Sequence, residues 1–123
     1  MCDDMRNFFS SIFVALILSP AYADEPEVIG VEVEKVGMLW NISVTLSHPD
    51  TGWDHYADGW EVLDSNGQSI GFRKLSHPHV NEQPFTRSLT GVFIPDGTRE
   101  IFVVPRCSEH GWNANPVSVK LQP

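Results

Sequence analysis

Short runs of alternating apolar and polar residues constrain the fold of this chain more than any other feature of its sequence. The clearest run is WNISVTL, residues 40–46, in which every second side chain is apolar. A period of two places successive side chains on opposite faces, which is typical of a half-buried β-strand. Six further runs have strand character, and they cover residues 29–33, 60–64, 69–75, 88–94, 100–106 and 117–121.

Turn residues separate several of these runs. Asn66-Gly67 lies between the third and fourth runs and favours a tight hairpin, because both residues accept positive φ. Pro95-Asp96-Gly97 ends the fifth run in the same manner. Seven short antiparallel strands with such turns predict an all-β, immunoglobulin-like sandwich. Only the architecture is implied, because the single cysteine expected in the mature protein, Cys107, cannot form the immunoglobulin disulfide.

The N-terminal segment has the pattern of a secretory signal peptide. Residues 8–18 (FFSSIFVALIL) are apolar but too few to span a bilayer, and Ala21-Tyr22-Ala23 is a small-x-small cleavage site. We therefore predict a signal peptide over residues 1–23 and one sandwich domain over residues 24–123. Cys2 precedes the apolar run, so it is not a lipoprotein cysteine and would be removed. The mature protein is expected to be periplasmic or secreted.

The charge balance restricts the partners. The chain has a formal net charge of −8, and its 8 basic residues are scattered among 16 acidic ones. This pattern disfavours nucleic acid and anionic membranes as partners of the processed protein. The partner that we expect instead is a redox or metal-donor protein. An oxidising compartment favours paired cysteines, so the unpaired Cys107 should be either buried and inert or engaged by a metal or a reaction.

All five histidines and Cys107 fall in three connecting segments, which follow the second, fourth and sixth predicted strands. The segments are HPDTGWDHY, SHPHVNEQPF and CSEHGW. If consecutive strands alternate in direction, even-numbered strands end at the same pole, so these three segments should meet there. Imidazole and thiolate are principal ligands of zinc, copper and iron. The predicted metal ligands are His48, His55, His77, His79, Cys107 and His110.

Other interpretations of the same residues remain open. Cys107 and His110 are spaced so that both could reach one ion from a tight turn, but a buried inert cysteine beside a surface histidine has the same pattern. A thiol enzyme using this pair is a further alternative. A Ser/His/Asp hydrolase is not supported, because the chain contains no G-x-S-x-G motif. Trp53, Trp60 and Trp112 either wall the site or pack in the core.

Taken together, HPDTGWDHYADGW, the hairpin that ends in IGFRKL, and CSEHGW resemble the iron domain of the superoxide reductase family, which includes desulfoferrodoxin and neelaredoxin. That family holds one iron in an immunoglobulin-like sandwich by four histidines and an axial cysteine. The resemblance covers about residues 33–112. It implies iron as the metal, His48, His55 and His110 as equatorial ligands, and Cys107 as the axial ligand.

The chain also departs from that family. Residues 24–34 contain neither the first histidine ligand nor the lysine that precedes it in the family. The fourth equatorial position is then either empty or filled by His77 or His79, and superoxide reductase-like oxidoreductase activity is left open. Copper and zinc are alternative metals, with a cupredoxin-like protein as the copper case. A sandwich that binds a partner without metal or catalysis is the third alternative.

Overall fold

The computed structural model describes residues 25–121, so the predicted signal peptide lies outside the described residues. Within this range the protein is all-β, with no helix long and apolar enough to cross a membrane. The strands are β1 (Glu27–Val36), β2 (Leu39–Ser47), β3 (Ala57–Leu63), β4 (Ser69–Lys74), β5 (Phe85–Val92), β6 (Glu100–Cys107), β7 (Gly111–Trp112) and β8 (Val117–Lys120).

The strands form two antiparallel sheets. One sheet has three strands in the order β1-β2-β5. The other has five, with β4 and β3 leading to a central β6. Because β3 occupies one edge of β6, the short strands β7 and β8 share the other edge. β8 pairs with the first half of β6, and β7 pairs with the last two residues of β6.

The two sheets enclose one hydrophobic core, which is the arrangement of a β-sandwich. Alternate residues of β2 (Ile42, Val44 and Leu46) are buried, as their period of two predicts, and they share a cluster with the fully buried Trp60 of β3. Burying a side chain of this kind stabilises the fold by roughly 1.5–3 kcal/mol. The core therefore holds the sheets together and leaves the connecting segments to position polar groups.

The described residues form eight strands where the sequence pattern predicts seven. The additional strand is β7, whose two residues are too few to produce a periodic signal. It forms because Gly111 has φ +78°, a left-handed conformation that reverses the chain after His110 and returns it along the end of β6. The fifth strand begins at Phe85, three residues before the predicted start at residue 88.

The segments that follow β2, β4 and β6 meet, and we call them the first, second and third pole loops (residues 48–56, 75–84 and 108–110). A side chain of the second loop contacts the first, since Gln83 Oε1 accepts a hydrogen bond from the His48 backbone N–H at 2.9 Å. The third loop contacts the first through Ser108, whose backbone N–H donates to the Tyr56 carbonyl at 2.8 Å. The described residues therefore bring together the three segments that carry the histidines.

Candidate metal centre

The first and third pole loops are held in register by a reciprocal pair of hydrogen bonds. Ser108 donates its backbone N–H to Tyr56, and the Tyr56 N–H donates to the Ser108 hydroxyl at 3.1 Å. The neighbouring residues Ala57 and Cys107 are paired across β3 and β6. Cys107 belongs to this strand pair and His55 lies two residues before Ala57, so the paired strands hold the two side chains near each other.

Three of the predicted ligands converge. One potential ligand atom from each of His48, His55 and Cys107 lies within 4.8 Å of the others. His48 and Cys107 are 1% and 0% exposed, and the rings of His48 and His55 are 4.8 Å apart and nearly perpendicular. Two imidazoles and a thiol in a buried group form a donor set suited to iron, copper or zinc.

Asp50 fixes the orientation of His48. Its Oδ1 accepts hydrogen bonds from His48 Nδ1 at 2.5 Å and from the Ala57 N–H at 3.0 Å, and its Oδ2 accepts from the His79 N–H at 2.7 Å. A carboxylate bound to Nδ1 selects the tautomer in which Nε2 carries the lone pair, as is common for metal-binding histidines. Asp50 therefore organises the site without belonging to the group of converging atoms.

His55 provides a direct test of whether the residues fit a metal. Its Nε2 is buried and has no hydrogen-bond partner among the described residues. The carboxylate of the nearby Glu109 places Oε1 at 3.8 Å, beyond hydrogen-bonding distance. Buried polar atoms are nearly always satisfied, so an orphan imidazole nitrogen beside a thiol calls for an explanation. A coordinated transition metal ion would satisfy it, and the donor set therefore fits such an ion.

His110 lies on the solvent side of this group. It belongs to a second set with His55 and Glu109, whose ligand atoms also lie within 4.8 Å of one another. Its side chain is 44% exposed, and its ring is 5.4 Å from the ring of His55. The two sets share His55. His110 is thus near the buried group but does not converge with His48 and Cys107 as closely as they do with each other.

The two histidines of the second pole loop are not brought into either set. His79 is buried and stacked on Phe85 at 3.9 Å, and its Nε2 accepts a hydrogen bond from Arg87 at 3.0 Å. Burial lowers the pKa of His79, and the charges of Arg87 and His77 lower it further. The neutral ring therefore links the loop to Arg87, and its backbone N–H links the loop to Asp50.

His77 and two of the three tryptophans face solvent. His77 is exposed, and its Nδ1 donates to the Pro78 carbonyl at 3.0 Å. Trp53 is exposed beside Tyr56, and Trp112 stacks under the Arg106 guanidinium at 5.2 Å. Trp60 packs in the core instead. The exposed indoles of Trp53 and Trp112 therefore do not form a buried wall around the group.

Sequence reasoning missed two carboxylates at the site. Asp50 stands two residues after His48 in HPD, and Glu109 directly precedes His110. Proximity to a candidate ligand is the only local signal for either residue. It is weak, because Asp and Glu are common in polar loops, and neither forms a distinctive motif.

Comparison with known proteins gives a fold and a distant relative. No protein-family model matches the chain. It is 38% identical over 99 residues to a protein of Halomicrobium mukohataei named "Putative lipoprotein", in a match that covers 80% of this chain and 48% of that protein. The chain thus spans about half the length of the curated relative that it matches.

Two solved structures share the architecture. A hypothetical protein from Pyrococcus horikoshii OT3 matches with a TM-score of 0.56 at 19% identity, and superoxide reductase in the oxidized state matches with a TM-score of 0.52 at 16% identity. Each match covers 80% of this chain and 90% of the other. At such identities the likeness concerns the fold alone. The chain therefore shares a distant superoxide reductase-like fold, as its motifs predict.

Proposed function

We propose that this domain binds a single redox-active metal ion, iron in preference to copper or zinc, through His48, His55 and Cys107. The observation that carries the proposal is the convergence of their three ligand atoms within 4.8 Å in a mostly buried group. The choice of iron is supported by the fold shared with superoxide reductase and by the match of HP…HY and C-x-x-H-G to that family. The domain would then act as a small redox or metal-handling protein.

Iron, when bound, would supply one-electron chemistry, and the surrounding residues tune the conditions for it. Cys107 would contribute a negative sulfur ligand, and its complete burial keeps water from that side of the site. Asp50 holds the ring of His48 in one tautomer and one orientation, as carboxylates commonly do for metal-binding histidines. These contacts are made by the protein itself, so the site is largely organised before any ion enters.

Turnover of superoxide is a narrower proposal, and the charges do not favour it. The formal net charge of −8 gives the protein a field that repels an anion. The lysine that precedes the first histidine ligand in the superoxide reductase family is missing from residues 24–34. We therefore expect binding and redox cycling of the metal with little superoxide turnover.

Export is part of the same proposal. It is supported by the signal-peptide pattern of residues 1–23 and by the lipoprotein name of the Halomicrobium relative. The intact mass of the protein recovered from cell fractions tests it. A soluble extracytoplasmic species that begins at Asp24 is expected, and an unprocessed chain retained in the cytoplasm would contradict it.

The ligand role of Cys107 can be tested by spectroscopy. The purified domain is loaded with Fe(II) without oxygen and then oxidised, and its visible spectrum is compared with that of a Cys107→Ser variant. A thiolate bound to Fe(III) should give a strong charge-transfer band that the variant lacks. His77→Ala is the matched control, because this histidine is exposed and outside both sets, and its variant should keep the band.

Two results would contradict the proposed metal site. Identical spectra for the parent and Cys107→Ser would remove the thiol from the coordination sphere. Failure of the parent to bind iron, copper or zinc, together with a freely titrating thiol, would favour the partner-binding sandwich.

A further inference from the structure

We propose that the end of the sandwich opposite the pole loops binds a small amphipathic anion, with a carboxylate head and an apolar body. The site is a cleft of about 410 Å³ lined by Lys35, Trp40, residues 94–99 and Leu121, which we call the distal cleft. Small-molecule sites typically have volumes of roughly 300–1,000 Å³, so the distal cleft is large enough for such a ligand. The proposal goes beyond the metal site and does not depend on it.

The distal cleft lies where the two sheets open at their far end. Lys35 and Trp40 are cross-strand partners next to the β1–β2 hairpin, residues 94–99 lead from one sheet to the other, and Leu121 follows β8. The chain from Trp40 to His48 spans roughly 26 Å, at about 3.3 Å per residue of strand. A small ligand in the distal cleft therefore does not reach the candidate metal ligands.

Backbone hydrogen bonds hold the walls of the distal cleft. The Thr98 N–H donates to the Pro95 carbonyl at 3.2 Å and closes the turn that forms one side. The Leu121 N–H donates to the Arg99 carbonyl at 2.9 Å and fixes Leu121 beside the start of β6. Because these walls are already ordered, a ligand would bind with a small loss of chain entropy.

The base of the distal cleft is apolar. Ile94 and Leu121 are 3% and 7% exposed and belong to the hydrophobic core, and the partly buried Trp40 packs against that core. All three residues also line the distal cleft. An apolar ligand body that covers them removes its own surface and theirs from water, which is favourable.

Two cations that line the distal cleft select the charge of the head group. The Arg99 guanidinium has no ion-pair or hydrogen-bond partner among residues 25–121. Lys35 Nζ is 3.7 Å from Asp96 Oδ1, but the Asp96 side chain is 98% exposed, so water screens this pair. The whole chain has 16 acidic and 8 basic residues, so two cations beside one exposed acid reverse its overall balance. A ligand carboxylate at the apolar base would be screened less than Asp96 and would accept hydrogen bonds from the two cations.

The test is a titration of the metal-free protein with octanoate and, separately, with octylamine, followed by two-dimensional NMR. The two probes have the same alkyl chain and opposite head-group charges. Octanoate should shift the indole N–H signal of Trp40 and leave that of Trp112, at the other end of the domain, unchanged. It should bind at least about tenfold more tightly than octylamine, because only its head group can accept from Arg99 and Lys35.

Three variants examine the two cations. Arg99→Gln should weaken octanoate binding by about 3- to 10-fold, through the loss of a partly screened charge-assisted contact. Asp96→Asn should strengthen it by about twofold, because it releases Lys35 from its weak pair. Lys74→Gln is the matched control, since Lys74 is exposed at the end of β4 beside the second pole loop, and it should change the affinity by less than about twofold.

Three results would overturn the anion site. They are an unchanged Trp40 signal in the presence of octanoate, equal affinities for octanoate and octylamine, and equal affinities of Arg99→Gln and Lys74→Gln for octanoate. Arg99 and Lys74 are both exposed, so unchanged far-ultraviolet circular dichroism would confirm that their variants are folded. None of these results depends on whether Cys107 binds a metal.

Discussion

Replacing Asp50 should damage both the stability of the domain and its metal affinity. The Asp50 side chain is fully buried and accepts three hydrogen bonds, from the backbone N–H groups of Ala57 and His79 and from His48 Nδ1. Leaving a buried donor unsatisfied costs about 1–3 kcal/mol, and more when the lost partner is charged. Asp50→Ala leaves all three donors without an acceptor, so we expect a loss of roughly 3–6 kcal/mol after local relaxation.

That loss approaches the whole stability of a domain of this size, which is about 5–15 kcal/mol. Asp50→Asn is therefore the more informative variant, because it preserves shape. Its oxygen can still accept from His48 and Ala57, but its NH₂ group would then face the His79 N–H, donor against donor. We expect a loss of about 2–4 kcal/mol from this one reversed contact and the missing charge.

Urea denaturation followed by tryptophan fluorescence, to which the buried Trp60 contributes, measures this loss. The midpoint should fall with little change in slope, since the surface exposed on unfolding is the same. Metal affinity should fall by about 10- to 100-fold, because His48 loses the partner that fixes its tautomer. Asp54→Asn should stay within about 0.5 kcal/mol of the parent, as an exposed substitution in the same loop. An Asp50→Asn variant as stable as that control would refute the network described here.

Two further predictions concern His79 in the second pole loop and Gly111 at the start of β7. Burial and the charges of Arg87 and His77 lower the pKa of His79, and the charges of Glu82 and Asp50 oppose them only in part. The unfolded chain therefore binds a proton on this histidine more readily than the folded chain does. Stability should be retained above pH 6.5, the ordinary pKa of histidine, and be lost as the pH falls below it. His79→Gln, whose oxygen can still accept from Arg87, should have a shallower pH dependence of the urea midpoint, and an unchanged profile would contradict this origin. Gly111→Ala should destabilise the fold by about 1–2 kcal/mol through backbone strain alone, because φ is +78° and an added Cβ meets no atom within 4 Å. Gly30→Ala, equally open but without positive φ, is its control in the same denaturation assay, and equal midpoints for the two variants would contradict the strain.

The strand pattern was predictable because it depends on local physics. The alternation in residues 40–46 identifies β2 and its buried face, since a side chain on a strand changes face at every residue. The Asn66-Gly67 turn was predictable for a similar reason, and Gly67 indeed has φ +81°. The even-numbered placement of the histidine segments also follows from counting strands, and the miscount caused by β7 did not affect it because β7 comes after Cys107.

The partners of each side chain were decided only by the tertiary structure. By residue type and loop placement alone, His48, His55, His77 and His79 are equivalent candidates, and only the family resemblance singles out the first two. The fold converges these two on Cys107 and commits His79 to Phe85 and Arg87. Asp50 meets His79 across 29 positions of the chain. Such contacts depend on how two sheets pack and where their loops cross, and no local periodicity encodes that geometry. Residue types and strand order thus determine which groups arrive at the pole, and the packing of the loops determines which of them face a common point.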